Sequence, residues 1–142
     1  MRVDFYHLTA SPVEAVLPRL VQRVLDDGAR ALVRAEETAL LARLDAALWS
    51  FAPDSFLPHG MAGAGDEAAQ PVLLAADPAP LNGATRLILA DGRWVDPPAG
   101  YERVFFLFGE AEIAAARAAW RTVAGERHYW KQDGRGRWTE GP

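Results

Sequence analysis

The sequence contains no cysteine among its 142 residues. Disulfide bonds, thiolate metal sites and thiol nucleophiles are therefore excluded, and a reducing cytoplasm fits this composition. The sequence also lacks an apolar run of the ~20 residues that a membrane-spanning helix needs. Residues 1–5 do not have the basic and then apolar layout of a signal peptide. We therefore expect a cytoplasmic protein without a membrane partner.

The motifs of nucleotide-binding and hydrolytic enzymes are absent too. Gly60, Gly63 and Gly65 have the wrong order for the dinucleotide fingerprint, and the acidic residues that follow them repel phosphate. No glycine run precedes a Lys-Ser or Lys-Thr pair, and no serine stands in a Gly-x-Ser-x-Gly elbow. The three histidines are far apart and lack metal-ligand spacing. We expect no catalytic residue, no cofactor and no metal.

Basic residues are too few to balance the acidic ones, and the formal net charge is −4. This disfavours a general nucleic-acid-binding protein, because such proteins gain affinity by neutralising phosphates. The charge is unevenly distributed, since residues 117–142 carry six basic and three acidic side chains and therefore a charge of +3. A local anion-binding site in this part is one interpretation, and a solvated face without a partner is the other.

What the sequence does contain is an alternation of strand-like and helical segments. The strand-like segments are 3–8, 31–33, 71–75, 85–89 and 103–108, and the helical ones are 12–27, 36–49 and 110–123. This alternation predicts one α/β domain over 1–142, with three layers, a mostly parallel central sheet and helices on both faces. The continuous apolar runs 85–89 and 103–108 are expected at the centre of the sheet.

Turn and cap residues divide the remaining segments. The segments 128–132 and 137–139 flank an Asp-Gly turn and predict a C-terminal β-hairpin. Ser11, followed by a proline and a glutamate, is typical of a helix N-cap with a capping box. Residues 52–70 are rich in glycine and proline and predict the one long connection of the chain.

Aromatic residues occur where a surface is expected. Trp49 and Phe56 fall at the end of a predicted helix and in the connection that follows it. Trp120 lies between Arg117 and Arg121 on the last predicted helix, where helical spacing brings an indole beside two guanidinium groups. Arginine and aromatic residues are typical of binding hot spots. The alternative is that Trp120 is a core residue with solvated neighbours.

Four stretches follow one another along nearly the whole chain. They are Phe5-Tyr6-His7-Leu8, Leu44-Asp45-Ala46-Ala47-Leu48-Trp49, Ser55-Phe56-Leu57-Pro58-His59 and Ala116-Arg117-Ala118-Ala119-Trp120-Arg121. Together they resemble the chi subunit of bacterial DNA polymerase III holoenzyme. The combination of the second and third stretches at this spacing is the most specific part of the resemblance.

The resemblance implies a Rossmann-like fold without intrinsic activity, in a protein that is a subunit of a DNA-directed DNA polymerase complex. It implies two partners. One is the acidic, phenylalanine-ending C-terminal tail of single-stranded DNA-binding protein, and the other is the psi subunit, which joins chi to the clamp loader. Arg117, Trp120 and Arg121 match the family's tail-binding positions, although tyrosine is commoner than tryptophan there. Trp49 and Phe56 match the positions that bind psi, and a helicase could use the same surface.

Two interpretations from other functional classes stay open beside the adaptor. One is a nucleotide-binding or hydrolytic enzyme on a Rossmann-like fold. The other is direct binding of single-stranded DNA through Trp130, Trp138 and Arg137, by the stacking that such proteins use. The net charge makes direct contact with nucleic acid the less expected mode.

Overall fold

The computed structural model describes residues 1–51 and 57–141. Within these residues the strands are β1 (Arg2–His7), β2 (Ala31–Arg34), β3 (Gly60–Met61), β4 (Val72–Ala75), β5 (Arg86–Leu89), β6 (Arg103–Phe108), β7 (Glu126–Gln132) and β8 (Trp138–Glu140). The α-helices are α1 (Val13–Asp26), α2 (Thr38–Trp49) and α3 (Ile113–Thr122), and short 3-10 helices cover Glu67–Ala69 and Glu110–Glu112.

All strands join one sheet in the order β3-β4-β2-β5-β6-β1-β7-β8. Every neighbouring pair is parallel except β7 and β8, which are antiparallel. The predicted α/β fold with a mostly parallel sheet and a C-terminal hairpin is confirmed. β5 and β6 lie at the centre, as continuous apolar runs predict for strands that are covered on both faces.

One face of the sheet is covered by α1 and α2. Leu17 of α1 and Leu44 of α2 are fully buried in the same cluster as the sheet residues Val33 and Ile88. The hydrophobic residues of both helices recur at helical spacing, so one side of each helix can leave water completely. Burial of this apolar surface is the main force that holds the helices against the sheet.

The opposite face is covered by α3 together with the connections 76–85 and 90–102. Ala116 and Ala119 of α3 and Trp94 and Tyr101 of the connection between β5 and β6 pack in one cluster on this side. The small alanine side chains let α3 lie close to the sheet, and the larger aromatic rings fill the space that α3 does not reach. The helices therefore lie on both faces, as predicted.

Two local predictions from the sequence are wrong. Pro12, not Ser11, occupies the N-cap of α1, and no side chain caps this helix end. The Ser11 hydroxyl accepts a hydrogen bond from Gln132 Nε2 at 3.1 Å instead, so a tertiary contact replaces the local cap. Residues 52–70 are also not the one long connection, since they contain β3 and a 3-10 helix and since 90–102 is another long connection.

A buried carboxylate joins three neighbouring strands. Asp4 of β1 is fully buried, and its carboxylate accepts hydrogen bonds from Arg103 Nε at 2.7 Å, Trp130 Nε1 at 2.9 Å and Arg2 Nη2 at 3.0 Å. Burial by itself raises the pKa of Asp4, but the hydrogen bonds from these three side chains outweigh it and lower the pKa below its usual value. Asp4 is therefore ionised at neutral pH and fixes β6 and β7 on either side of β1.

Candidate functional site

A cavity of about 490 Å³ lies between α3 and the sheet, on the face that α3 covers. We call it the α3 cavity. Strands β1, β6 and β7 form its floor, and α3 with the turn before it forms its wall. Its lining residues are Phe5, His7, Phe108, Glu110, Ile113, Ala116, Arg117, Trp120, Tyr129 and Lys131.

Trp120 is partly buried in the wall of the α3 cavity. Its ring meets the buried ring of Phe5 edge-on, with centroids 5.0 Å apart and an interplanar angle of 65°. The guanidinium carbon of Arg127 lies 4.9 Å from the Trp120 ring centroid, and Arg127 Nη1 donates a hydrogen bond to the Trp120 carbonyl. Trp120 therefore has one side in the core and one side in the cavity, so neither sequence interpretation describes it fully.

The two arginines that flank Trp120 in the sequence have different positions. Arg117 is exposed, lines the α3 cavity and forms no ion pair within the part of the chain that the structure describes. Arg121 is also exposed, but it does not line the cavity. The structure thus brings Arg117 and Trp120 together at one cavity and leaves Arg121 outside it.

His7 places a buried polar atom in the same cavity. Its side chain is almost fully buried and stacks on Phe108, with ring centroids 4.9 Å apart and an interplanar angle of 10°. Its Nδ1 lies 3.0 Å from the Tyr129 hydroxyl. Its Nε2 lies 3.1 Å from Glu110 Oε1, but the two are not aligned as a hydrogen bond, so Nε2 has no such partner among the described residues.

The direction of the hydrogen bond with Tyr129 decides which nitrogen of His7 can donate. Burial first, and then the negative charge of Glu110, raise the pKa of Tyr129 above its usual value. The phenol therefore keeps its proton at neutral pH and can donate it to Nδ1 of His7. When the phenol donates to Nδ1, the proton of a neutral imidazole lies on Nε2, which then faces Glu110 and can donate a hydrogen bond.

The α3 cavity therefore combines an apolar slot with donors and positive charge. Phe5, Phe108 and Trp120 supply aromatic surface, Arg117 and Lys131 supply the charge, and His7 supplies a directed hydrogen-bond donor. This combination suits a ligand that joins a carboxylate to an apolar or aromatic group. Glu110 lies at the same cavity, and its side chain is largely exposed, so it can turn away from an incoming anion.

Sequence reasoning missed His7, Tyr129 and Lys131. These residues reach the cavity because β7 pairs in parallel with β1, a contact between segments more than a hundred residues apart. The available signal was the position of His7, which is the last residue of a parallel strand. In open α/β sheets, ligands bind beyond the carboxyl ends of such strands.

Of the two residues predicted to bind psi, Trp49 belongs to α2, which covers the opposite face of the sheet. Trp49 ends α2 and is 59% exposed, which is unusual for so large an apolar side chain. Its ring lies 4.8 Å from the ring of His59, whose Nδ1 lies 2.6 Å from the Leu57 carbonyl oxygen. The Nε2 of His59 lies 3.0 Å from Asp45 Oδ1, but the two are not aligned as a hydrogen bond. Phe56 lies outside the described residues.

Within 1–51 and 57–141, no group of three or more His, Cys, Asp or Glu side chains could hold a metal ion. No helix in the same ranges is long and apolar enough to cross a lipid bilayer.

Comparison with known proteins finds a family model and a relative that are similar to this chain. The family model described as "DNA polymerase III chi subunit, HolC" matches residues 1–139. DNA polymerase III subunit chi from Escherichia coli (strain K12) is 35% identical to this chain over 65 residues, which are 46% of this chain and 44% of the E. coli protein. The aligned segment therefore spans less than half of that relative.

Proposed function

The chain belongs to the DNA polymerase III chi subunit family, and from this premise we propose that it is a non-catalytic accessory subunit of the replicative holoenzyme. It acts in the cytoplasm and links two partners. The α3 cavity holds the C-terminal tail of single-stranded DNA-binding protein, and the surface around Trp49 holds psi, which connects the subunit to the clamp loader.

The observation that supports the first contact most directly is the donor set of the α3 cavity. A tail that ends in phenylalanine presents a carboxylate and an aromatic ring on one residue. Arg117 and the Nε2 of His7 suit the carboxylate, and the aromatic surface of Phe108 and Trp120 that lines the cavity suits the ring. Lys131 adds positive charge for the acidic residues that precede the phenylalanine.

The affinity expected from this contact is moderate. A hydrogen bond to a charged group contributes about 1.5–3 kcal/mol, and ordering a flexible tail offsets part of what the contacts contribute. We therefore expect a dissociation constant in the micromolar range, fast exchange and a clear loss of affinity with salt. Fast exchange suits a contact that must be released as the replication machinery moves.

Isothermal titration calorimetry with a peptide that copies the cognate tail tests this contact. Arg117→Ala and Arg121→Ala remove the same group one turn apart on α3, but only Arg117 lines the cavity. We expect Arg117→Ala to weaken binding about tenfold or more, as a lost charged hydrogen bond does, and Arg121→Ala to weaken it only two- or threefold through long-range charge. Absence of heat at several times the expected dissociation constant, or equal binding by Arg117→Ala and wild type, would falsify the assignment.

The surface around Trp49 supports the second contact. An exposed indole at a helix end, fixed against His59, has the size and rigidity of an interface anchor. A helicase that uses the same surface would compete with psi. Co-purification of psi with wild type but not with Trp49→Ala, at unchanged thermal stability of the variant, is the expected result. Equal co-purification would place the psi contact elsewhere.

A further inference from the structure

A second cavity lies on the other side of β7, between α1 and the β7–β8 hairpin. Its volume is about 820 Å³. We call it the hairpin cleft. β7 separates the two cavities, because Tyr129 and Lys131 line the α3 cavity whereas Trp130 and Gln132 line the hairpin cleft. This follows from the geometry of a strand, whose successive side chains point to opposite faces.

The hairpin cleft concentrates positive charge in an acidic protein. Arg19 and Arg23 lie one turn apart on α1, and Arg135 and Arg137 lie on the opposite wall, in the turn of the hairpin. All four are exposed, and none forms an ion pair within the described ranges 1–51 and 57–141. No acidic residue of those ranges lines the cleft.

The acidic residue of the hairpin turn does not neutralise this charge by direct pairing. Asp133 Oδ1 accepts hydrogen bonds from the backbone N–H groups of Arg135 at 2.8 Å and Arg137 at 3.0 Å. The carboxylate thereby shapes the turn, and the two guanidinium groups remain available. The fold has placed four unpaired cations around one cleft, which is favourable only if the cleft faces water or an anion.

Aromatic rings form the floor between the two walls. Trp130 stacks on Tyr6 with centroids 6.1 Å apart and an interplanar angle of 13°, and its Nε1 is fixed by Asp4. Trp138 meets Tyr6 at 90° with centroids 5.0 Å apart. Both indoles are only partly buried, and both are held by the core. They present rigid planar surface to the cleft.

We propose that the hairpin cleft binds single-stranded nucleic acid, with the arginines on the phosphates and the bases stacked on Trp130 and Trp138. A nucleotide chain carries one anionic group and one planar ring in every repeat, which matches charged walls around an aromatic floor. An acidic peptide has the anionic groups but not the regular rings, so it would contact the arginines of the walls but would not stack on the tryptophans of the floor. The negative average charge of the chain opposes this only weakly, because the cations that line the cleft are nearest to a bound phosphate and salt screens the more distant acidic groups.

The site is independent of the proposed contact with the protein tail, since the two cavities lie on opposite faces of the sheet. Its test uses the full chain, a fluorescein-labelled oligothymidylate of about 15 nucleotides and fluorescence anisotropy. We expect the logarithm of the association constant to fall linearly with the logarithm of the salt concentration. The slope should be about −3, because four arginines contact four phosphates of a single strand. Quenching of tryptophan fluorescence should accompany it.

Two variants with equal charge change separate this cleft from the rest of the surface. Arg23→Glu/Arg137→Glu reverses one cation on each wall and should weaken oligonucleotide binding more than about tenfold. Arg43→Glu/Arg93→Glu reverses two exposed arginines that do not line the cleft, and should weaken it less than about threefold. Circular dichroism melting of both variants checks that each is folded.

The aromatic floor separates nucleic acid from an acidic peptide. Trp138→Leu keeps apolar packing but removes the planar ring, so it should weaken oligonucleotide binding several-fold and leave binding of a glutamate homopeptide unchanged. The proposal is overturned if the oligonucleotide does not bind, if both charge-reversal variants lose equal affinity, or if the homopeptide binds as tightly as the oligonucleotide and Trp138→Leu has no effect. The last result indicates a site for acidic protein.

The tail peptide in the same samples tells the two sites apart. Arg117→Ala should bind the tail peptide weakly and the oligonucleotide as wild type does. Arg23→Glu/Arg137→Glu should bind the oligonucleotide weakly and the tail peptide as wild type does. If the tail peptide fails to bind wild type while the oligonucleotide binds, the proposed function fails and the hairpin cleft stands.

Discussion

At the scale of single residues, His7 is the most informative side chain of the α3 cavity. It is nearly fully buried, and one of its nitrogens has no hydrogen-bond partner within the described part of the chain. A buried polar atom without a partner costs free energy, typically about 1–3 kcal/mol. A ligand that accepts a hydrogen bond from Nε2 removes this cost, provided that Glu110, whose side chain is largely exposed, turns away from the nitrogen.

The variant His7→Phe tests this role. It keeps a ring that can stack on Phe108 but removes the donor, so we expect the tail peptide to bind about tenfold more weakly. Glu110→Gln is the matched variant with the opposite expected effect. It removes a negative charge beside the same nitrogen, so it should tighten binding of the tail peptide. Calorimetry on both variants measures the two changes. If His7→Phe binds the tail peptide as tightly as wild type does, the His7 donor takes no part in binding.

Asp4 governs stability rather than binding. Because its folded-state pKa is lowered, its ionised form contributes stability that is fully present above the unfolded pKa of about 3.9 and is lost as the pH falls through the folded value. Asp4→Asn should therefore be less stable than wild type by about 2–3 kcal/mol from pH 5 to pH 8. Its two arginine partners are partly exposed, which keeps this figure below that for a fully buried pair.

Urea unfolding over a series of pH values measures the effect of Asp4. The difference between wild type and Asp4→Asn should be constant above about pH 5 and should shrink below about pH 4, where Asp4 is protonated first in the unfolded chain and, at lower pH, in the folded protein. The exposed Asp27→Asn is the control and should lie within about 0.5 kcal/mol of wild type. A difference that stayed constant down to pH 2 would show that charge is not the source of the stability.

At the scale of elements, the β7–β8 hairpin contains a pH-sensitive cross-strand contact. His128 of β7 interacts with Glu140 of β8 through Nδ1 and with Glu126 through Nε2. Hydrogen bonds to Glu140 and then to Glu126 raise the pKa of His128. A raised histidine pKa means that the contribution to stability is fully present below the unfolded value of about 6.5 and is lost as the pH rises through the folded value.

We therefore expect β8 to be held more firmly at pH 6 than at pH 8. The contact is on the surface, so the effect is local to the hairpin and leaves global unfolding almost unchanged. Amide hydrogen exchange over 138–140, corrected for the intrinsic rate at each pH, measures it. In His128→Gln the protection should be the same at both pH values; a persistent difference would assign the pH dependence to another group.

At the scale of the whole molecule, the sheet separates the candidate surfaces. α3 and its cavity lie on one face, whereas α2 with Trp49 and the hairpin cleft lie with the cluster on the other. Sites that share no residues contribute to binding almost additively. An adaptor built in this way can hold one partner without displacing the other.

This separation predicts independent binding. Trp49→Ala should bind the tail peptide within twofold of wild type, and Arg117→Ala should co-purify with psi as wild type does. The double variant should show both losses and no additional one. Calorimetry and co-purification from one preparation measure both contacts, and a change of tail affinity in Trp49→Ala would reveal coupling across the sheet.

The sequence by itself determined those features that rest on local pattern. Continuous apolar runs placed β5 and β6 at the centre, helical spacing defined α1 and α2, and the spacing of three residues put Arg117 beside Trp120. Each of these depends on neighbours within one or two turns or on burial from both faces. Local spacing was not sufficient for Ser11, because a contact with Gln132 competed with the cap and was formed instead.

Only the tertiary structure decided which distant residues share a cavity. The parallel register of β1 and β7 brings His7 to Tyr129, and the packing of the hairpin against α1 brings Arg23 to Arg137. Register is set by which face of each strand is buried, and that depends on contacts throughout the sheet. The proximity of Arg117 and Trp120 can therefore be predicted from the sequence. The position of His7 in the α3 cavity and the concentration of charge in the hairpin cleft depend on how β7 pairs with β1 and packs in the sheet.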